Sequence, residues 1–297
     1  VSAPVPSPVA DRDPDRPLGS GTSARSVLLT LLGEFVLPAG GAVWTSAVIE
    51  ALGSVGVEER SARQALARSG SAGLLVAERH GRSARWSLTP AATRLLREGT
   101  DRIYSLGRTG ATWDGRWLLV VVTVPEGDRP LRHRLRSRMA WLGLAPLAGG
   151  LWISPHAATE PAVLTALDGL GLSTAALSFV GRSGAVGDVG AAVAGAWDLG
   201  AVEARYEEFV AATEAALAAT QDIDGRDAFA ALLGLVHEWR AFPALDPGLP
   251  EQLLPRPWSG SAAADAFGRA HAAWHDAAWA WWRSLEPDIS ADVPGRC

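Results

Sequence analysis

The chain of 297 residues contains no lysine, so all 27 of its basic residues are arginine. With its many alanines and glycines, this reads as the coding bias of a GC-rich genome rather than as chemistry. Its only cysteine is Cys297, which excludes an intramolecular disulfide and a cysteine-built zinc site. No apolar run reaches the ~18 residues that a bilayer span requires. Residues 1–22 carry Pro and Asp where a signal peptide carries an apolar stretch. A soluble cytoplasmic protein without membrane attachment is therefore expected.

What is present is ordinary for a globular chain: 48% hydrophobic and 20% charged residues. At ~100–200 residues per domain, the length predicts two or three domains. The formal net charge of −5 hides an asymmetry. Residues 25–108 hold 11 Arg and 7 acids, residues 109–199 hold 7 of each, and residues 200–297 hold 7 Arg and 15 acids. A basic piece followed by a neutral and then an acidic one points to a polyanion partner for the first piece only.

Residues 1–24, rich in Pro, Ser and Asp, read as a disordered tail. Ser26–Val36 (SVLLTLLGEFV) reads as a buried helix broken by Leu37–Gly41. Trp44–Leu52 reads as a second helix and Glu58–Ser69 as a third. Two short strands, Leu74–Arg79 and Arg85–Leu88, flank a His80-Gly81-Arg82 turn, and a helix opens at Thr89-Pro90. Three helices and a β-hairpin is the order of a winged helix, placed at 25–108. Arg116–Val124 (RWLLVVVTV) is a strand, Pro130–Leu142 a helix, Leu147–Ser154 a strand region with a Gly-Gly bend. Glu160–Leu170 is a second helix and Ala175–Val180 a last strand. That order is ferredoxin-like, placed at 109–182. Gly181–Gly195 reads as a linker, and 196–297 as a helical domain. The expected class is thus α+β and multidomain, with no internal repeat.

At ~100° per residue, Ala62, Ala65, Leu66 and Ser69 of the third helix share an inward side. Arg60, Gln64 and Ala67 form the opposite side, flanked by Ser61, Arg63 and Arg68. A small Ala67 permits close approach to DNA. Gln64 suits adenine and Arg60 suits guanine through bidentate bonds to base edges, while Arg63 and Arg68 suit phosphates. The hairpin tip adds His80, Arg82 and Arg85, and Thr45, a candidate cap of the second helix, completes the DNA-contacting set. The competing reading is an ordinary solvated helix face.

The blocks SVLLTLLGEFV, GGAVWTSAVIEAL, ERSARQALARS, HGRSARWSLT, WDGRWLLVVV, GLWISP, LVHEWRAF and DPGLPEQLLPRPWSG together resemble the PaaX family, bacterial repressors of phenylacetic acid catabolism. The resemblance spans nearly everything after residue 24. It implies a winged helix, a middle domain similar to small CRISPR-associated nuclease folds, and a helical C-terminal domain. It further implies a homodimer on double-stranded operator DNA, released by phenylacetyl-coenzyme A or a related acyl-CoA. Ser69-Gly70 departs from the bulkier apolar residues usual there, so the third helix is expected to fray early. Val124-Pro125-Glu126 lacks the strand-end Asp that nuclease relatives use for metal, so the middle domain is expected to be a scaffold or dimerisation unit.

A coenzyme A thioester needs cations for its phosphates and an apolar slot for its acyl end. The acidic last third holds Arg205, Arg240, Arg256 and Arg269 and six tryptophans, 239, 258, 274, 279, 281 and 282. The effector-binding candidates are His237, Trp239, Arg240 and Trp258, although core packing competes for both tryptophans. Arg132, Arg134, Arg136 and Arg138 are a second phosphate candidate, but alternate spacing spreads them around their helix. His237-Glu238 and the His271, His275 and Asp276 group invite a metal reading but lack a further ligand, so no metal is expected. No Gly-x-Ser-x-Gly elbow is present. No catalytic residue is assigned. A nuclease, an acyl-CoA hydrolase and a Trp-rich protein-binding scaffold are the alternatives to a repressor.

Overall fold

The computed structural model describes residues 23–285, apart from 82, 108–112, 126 and 221–222. In chain order its elements are α1 (Ala24–Leu31), β1 (Ala42–Trp44), α2 (Thr45–Ser54), α3 (Glu59–Ser71), β2 (Leu75–His80), β3 (Ser83–Leu88) and α4 (Pro90–Ser105). Then come β4 (Arg116–Val122), α5 (Arg129–Trp141), β5 (Ala145–Ala148), β6 (Leu151–Ser154), α6 (Glu160–Asp168) and β7 (Ala176–Arg182). The last are α7 (Val189–Ala196), α8 (Leu199–Ala219), α9 (Gly225–Trp239), α10 (Phe242–Leu245) and α11 (Gly260–Ser284). These residues cluster into two compact units. One gathers 23–104, 213–240 and 266–285, the other 105–212 and 241–265.

In the first unit, the Ser23 hydroxyl accepts from the Ser26 amide and opens α1, satisfying a donor the helix itself cannot. Ser23 and Ala24 are therefore ordered parts of a helix start, where a tail was expected; residues 1–22 lie outside the described residues. Leu28 and Leu31 of α1 and Leu32, Phe35 and Val36 of the wider turn that follows are fully buried. Helix α1 packs against α2, α3 and α9. The Phe35 ring lies 4.5 Å from Phe229, 5.3 Å from Trp279 and 5.7 Å from Trp282. Phe229 also lies 4.7 Å from Trp281, and Trp274 is buried with its indole donating to Thr220. Trp239, stacked on Phe267 at 5.0 Å, lies in this unit as well, so five of the six late tryptophans belong to it.

Strand β3 lies between β1 and β2, all antiparallel. Trp44, read as the first residue of the second helix, instead ends strand β1 (Ala42–Trp44), because Leu88 donates to Gly41 and Trp44 pairs with Arg85. The β2–β3 pairing extends to His80 opposite Ser83. Gly81 has φ of +58°, which a side chain would strain.

In the second unit the sheet runs β5-β6-β4-β7, antiparallel throughout. Leu118, Val120 and Val122 of β4 face Leu135 and Met139 of α5 and Val163 and Leu167 of α6. Trp117 and Ile153 point the other way, against Val193, Leu199 and Leu249. Burial on both faces explains the near-continuous apolar run in β4. The segment expected as a linker is structured. Strand β7 extends to Arg182, and Asp188 caps α7 by accepting from the amides of Gly190 and Ala191.

Candidate nucleic-acid interface

Helix α3 buries Ala62, Ala65, Leu66 and Ser69 and exposes Arg60, Arg63, Gln64, Ala67 and Arg68, with Ser61 half-buried between. The 3.6-residue period makes this separation: small residues let α3 lie close on α1 and α2, and the long polar ones are left on the far side. On the outer side Glu59, Arg60, Arg63, Gln64 and Ala67 line a shallow depression. Arg63 is steered by Glu59, its Nε 2.8 Å and Nη2 2.7 Å from Oε1. Such an exposed pair orients the guanidinium more than it stabilises the fold.

The helix does not fray at Ser69-Gly70; it runs to Ser71 and stops before Gly73, whose φ is +71°. A Cβ on Gly70 would sit 3.0 Å from Cζ3 of Trp86. The absence of a side chain there is what admits the indole against the helix. Trp86 is fixed in turn by a 3.0 Å bond from its Nε1 to Thr45 Oγ1. That bond corrects the reading of Thr45. Its hydroxyl donates to Ala84 O and accepts from Trp86, so it ties α2 to the hairpin rather than facing a phosphate, and it makes no cap bond.

Arg85 is also moved. It sits inside β3 opposite Trp44 and Glu78, with Cζ 5.9 Å from the centre of the Trp44 ring, instead of at the hairpin tip. His80 ends β2, edge-on to Trp44 at 5.2 Å. Arg82 lies outside the described residues.

The effector candidates are divided between the two units, His237, Trp239 and Arg240 in the first and Trp258 in the second. Trp239 is 1% exposed and donates to Ile103 O at 3.0 Å, which leaves no ring face for a ligand. His237 Nδ1 lies 2.8 Å from Thr30 Oγ1, and Arg240 Nη1 donates to Ser26 O at 2.7 Å and to Thr30 Oγ1 at 3.0 Å. These side chains lock the end of α9 to α1. Burial lowers the Arg240 pKa from its ordinary value. Trp258 belongs to the other unit, half-buried and edge-on to Tyr206 at 5.6 Å. Sequence reasoning overlooked Thr30 and Ser26, although a hydroxyl set in an apolar helix signals a buried polar partner.

A second buried group was also missed. Tyr104 OH donates to Glu34 Oε2 at 2.6 Å and lies 3.0 Å from His271 Nε2, which is 2.9 Å from Glu34 Oε1. Burial, then the charge of Glu34 and the bond to it, push the tyrosine pKa well above its usual range. His271 is thereby committed to a carboxylate and a phenol, while His275 turns to Asp276. Among the described residues no three His, Cys, Asp or Glu side chains are grouped to hold a metal.

Three family profiles match in order along the chain. The one described as PaaX-like protein covers residues 23–92, the PaaX protein central Cas2-like domain 110–193, and the PaaX-like protein C-terminal domain 197–284. The Transcriptional repressor PaaX of Escherichia coli (strain K12) is 30% identical over 249 residues, covering 81% of this chain and 77% of that protein. The chain belongs to the PaaX family. Among solved structures, the uncharacterized protein Rv0674 from Mycobacterium tuberculosis matches with a TM-score of 0.56 at 22% identity, over 89% of this chain and 98% of that one. That likeness bears on the fold alone. In this PaaX-family chain no helix among the described residues is long and apolar enough to cross a membrane.

Proposed function

We propose that the chain is a DNA-binding transcriptional repressor of genes for catabolism of a phenylacetate-type aromatic acid, and that it performs no chemistry of its own. The observation that carries this reading is the exposed side of α3, where Arg60, Gln64 and Arg68 surround the small Ala67 above a buried Ala/Leu face. In this reading residues 25–108 are a winged helix whose third helix enters the major groove, with the β2–β3 hairpin as its wing. Residues 109–182 are a ferredoxin-like domain; the strand order β5-β6-β4-β7 supports that assignment. Residues 196–297 supply the helical part that receives the effector, and the protein works as a homodimer on a two-fold operator. Family membership supports release by phenylacetyl-coenzyme A or a related acyl-CoA. Of the four effector candidates Arg240 is retained, because its Nε and Nη2 make no bond among the described residues.

Fluorescence anisotropy on operator duplexes over a range of salt tests this reading. Log affinity falls linearly with log salt as counterions are released. Arg68→Ala weakens binding to every sequence and reduces the slope by about 0.9, the share of one neutralised phosphate. Gln64→Ala instead relaxes preference at one base pair in a binding-site selection. Unchanged preference in that selection overturns the orientation of α3. Addition of phenylacetyl-coenzyme A is expected to raise the melting temperature and to lower DNA affinity.

A further inference from the structure

A strongly basic surface lies outside α3. Helix α5, residues Arg129–Trp141, reads RPLRHRLRSRMAW and contains five arginines, one histidine and no acid. Three of its apolar side chains are used elsewhere: Leu135 and Met139 are buried against the sheet, and Leu131 packs beside them, while Trp141 at the helix end is exposed. All five arginines and His133 are exposed. Among the described residues, none of Arg129, Arg134, Arg136 and Arg138 has a carboxylate partner, whereas α3 pairs Arg63 with Glu59, α8 pairs Arg205 with Glu208, and Arg269 of α11 pairs with Glu214.

The helix begins one residue earlier than its sequence suggests, and this changes the pattern. With Arg129 included, Arg129, Arg132, His133 and Arg136 fall at i, i+3, i+4 and i+7, one row along a flank. Arg134 and Arg138, four apart, make a second row on the other flank. Between the rows the solvent crest carries the small exposed Ser137 and Ala140, with exposed Trp141 at its C-terminal end. Arg134 and Arg138 repel each other at i, i+4, so this flank is unfavourable by itself. A partner that supplies the anions offsets that repulsion.

We propose that α5 is a second DNA-contacting element, seating the Ser137 and Ala140 stretch of its crest between two lines of phosphate while the arginine rows reach one strand each. This rests on the repressor reading above and adds to it a grip on the DNA backbone outside α3. Two charged flanks around a low crest fit paired phosphodiester strands better than a single acidic peptide. A lipid surface would call for several apolar side chains level with the charges; α5 exposes one large one, Trp141 at its end, while Leu131, Leu135 and Met139 pack with the sheet.

The test is the salt dependence of DNA binding by the full chain. The variant R129Q/R134Q/R136Q/R138Q keeps helix-compatible exposed side chains, so its melting temperature stays at or above that of the parent. Its log-affinity slope is expected to fall by about 0.9 for each phosphate that the variant leaves unneutralised, while base preference in a binding-site selection is unchanged. The matching Arg→Lys variant retains most of the slope. A parental slope in the glutamine variant overturns this inference and leaves the α3 reading standing. A parent chain that binds no duplex at any salt overturns both. Capture by vesicles of phosphatidylserine and phosphatidylcholine that the glutamine variant loses, with its DNA slope unchanged, assigns α5 to a membrane and likewise overturns the inference.

Discussion

Ser69 is fully buried, and its hydroxyl finds no hydrogen-bond partner among the described residues. A buried hydroxyl without a partner costs about 1–3 kcal/mol, and alanine is also the better helix former. Ser69→Ala is therefore expected to stabilise the protein by about 1 kcal/mol, read as a higher urea midpoint at unchanged slope. Thr30 is the opposite case. Its hydroxyl serves both His237 Nδ1 and Arg240 Nη1, so Thr30→Val removes one bond from each of these side chains and is expected to cost about 1–3 kcal/mol in the same measurement. The inward position of Ser69 was legible from helical period alone. The partners of His237, Trp239 and Arg240 were not. They are close together in sequence, which suggested one shared site. Yet Thr30 lies 207 residues from His237, and nothing local announces that bond.

Elements were legible where one periodic face meets a core and obscure where a distant partner makes them. Helix α3 has such a face, and its buried set follows the 3.6-residue period. Strand β1 has only three residues and exists by pairing with β3, about forty residues on. Helix α7 was read as linker because GAAVAGA is all small residues, which carry no amphipathic signal. What makes it a helix is its start and the seat of one side chain: Asp188 satisfies two amides, and Val193 is buried with Trp117, Ile153, Leu199 and Leu249. Asp188→Ala is expected to cost about 1 kcal/mol and to raise amide exchange across residues 189–196 selectively, without changing exchange in α3.

At the scale of the whole molecule, the described residues of the acidic last third are shared between the two compact units. Residues 213–240 and 266–285 join the basic N-terminal segment, and 241–265 join the central sheet. Each unit carries one of the two tyrosines of the chain, Tyr104 in the first and Tyr206 in the second. Tyr206 is 1% exposed and donates to Asp246 at 2.6 Å; burial first, then the charge of Asp246 and that bond, then Glu203, push its pKa far up. Tyr104 is raised in the same direction by burial and Glu34. The sign follows from linkage. An unfolded tyrosine loses its proton near pH 10, whereas both folded ones keep theirs, so the unfolded state binds fewer protons above that pH. The stabilisation is complete below about pH 9 and declines as pH rises through the unfolded value. Alkaline titration of the native protein should therefore show no phenolate absorbance at pH 10, where a free tyrosine is half ionised, and both phenolates should appear only with unfolding. Tyr104→Phe leaves Tyr206 as the sole reporter of the second unit, and Tyr206→Phe leaves Tyr104 for the first. If the two variants give phenolate steps at different pH, the units open separately; coincident steps mean they unfold together. Phenolate absorbance in the folded parent at pH 10 would contradict the buried carboxylate bonds assigned to both residues.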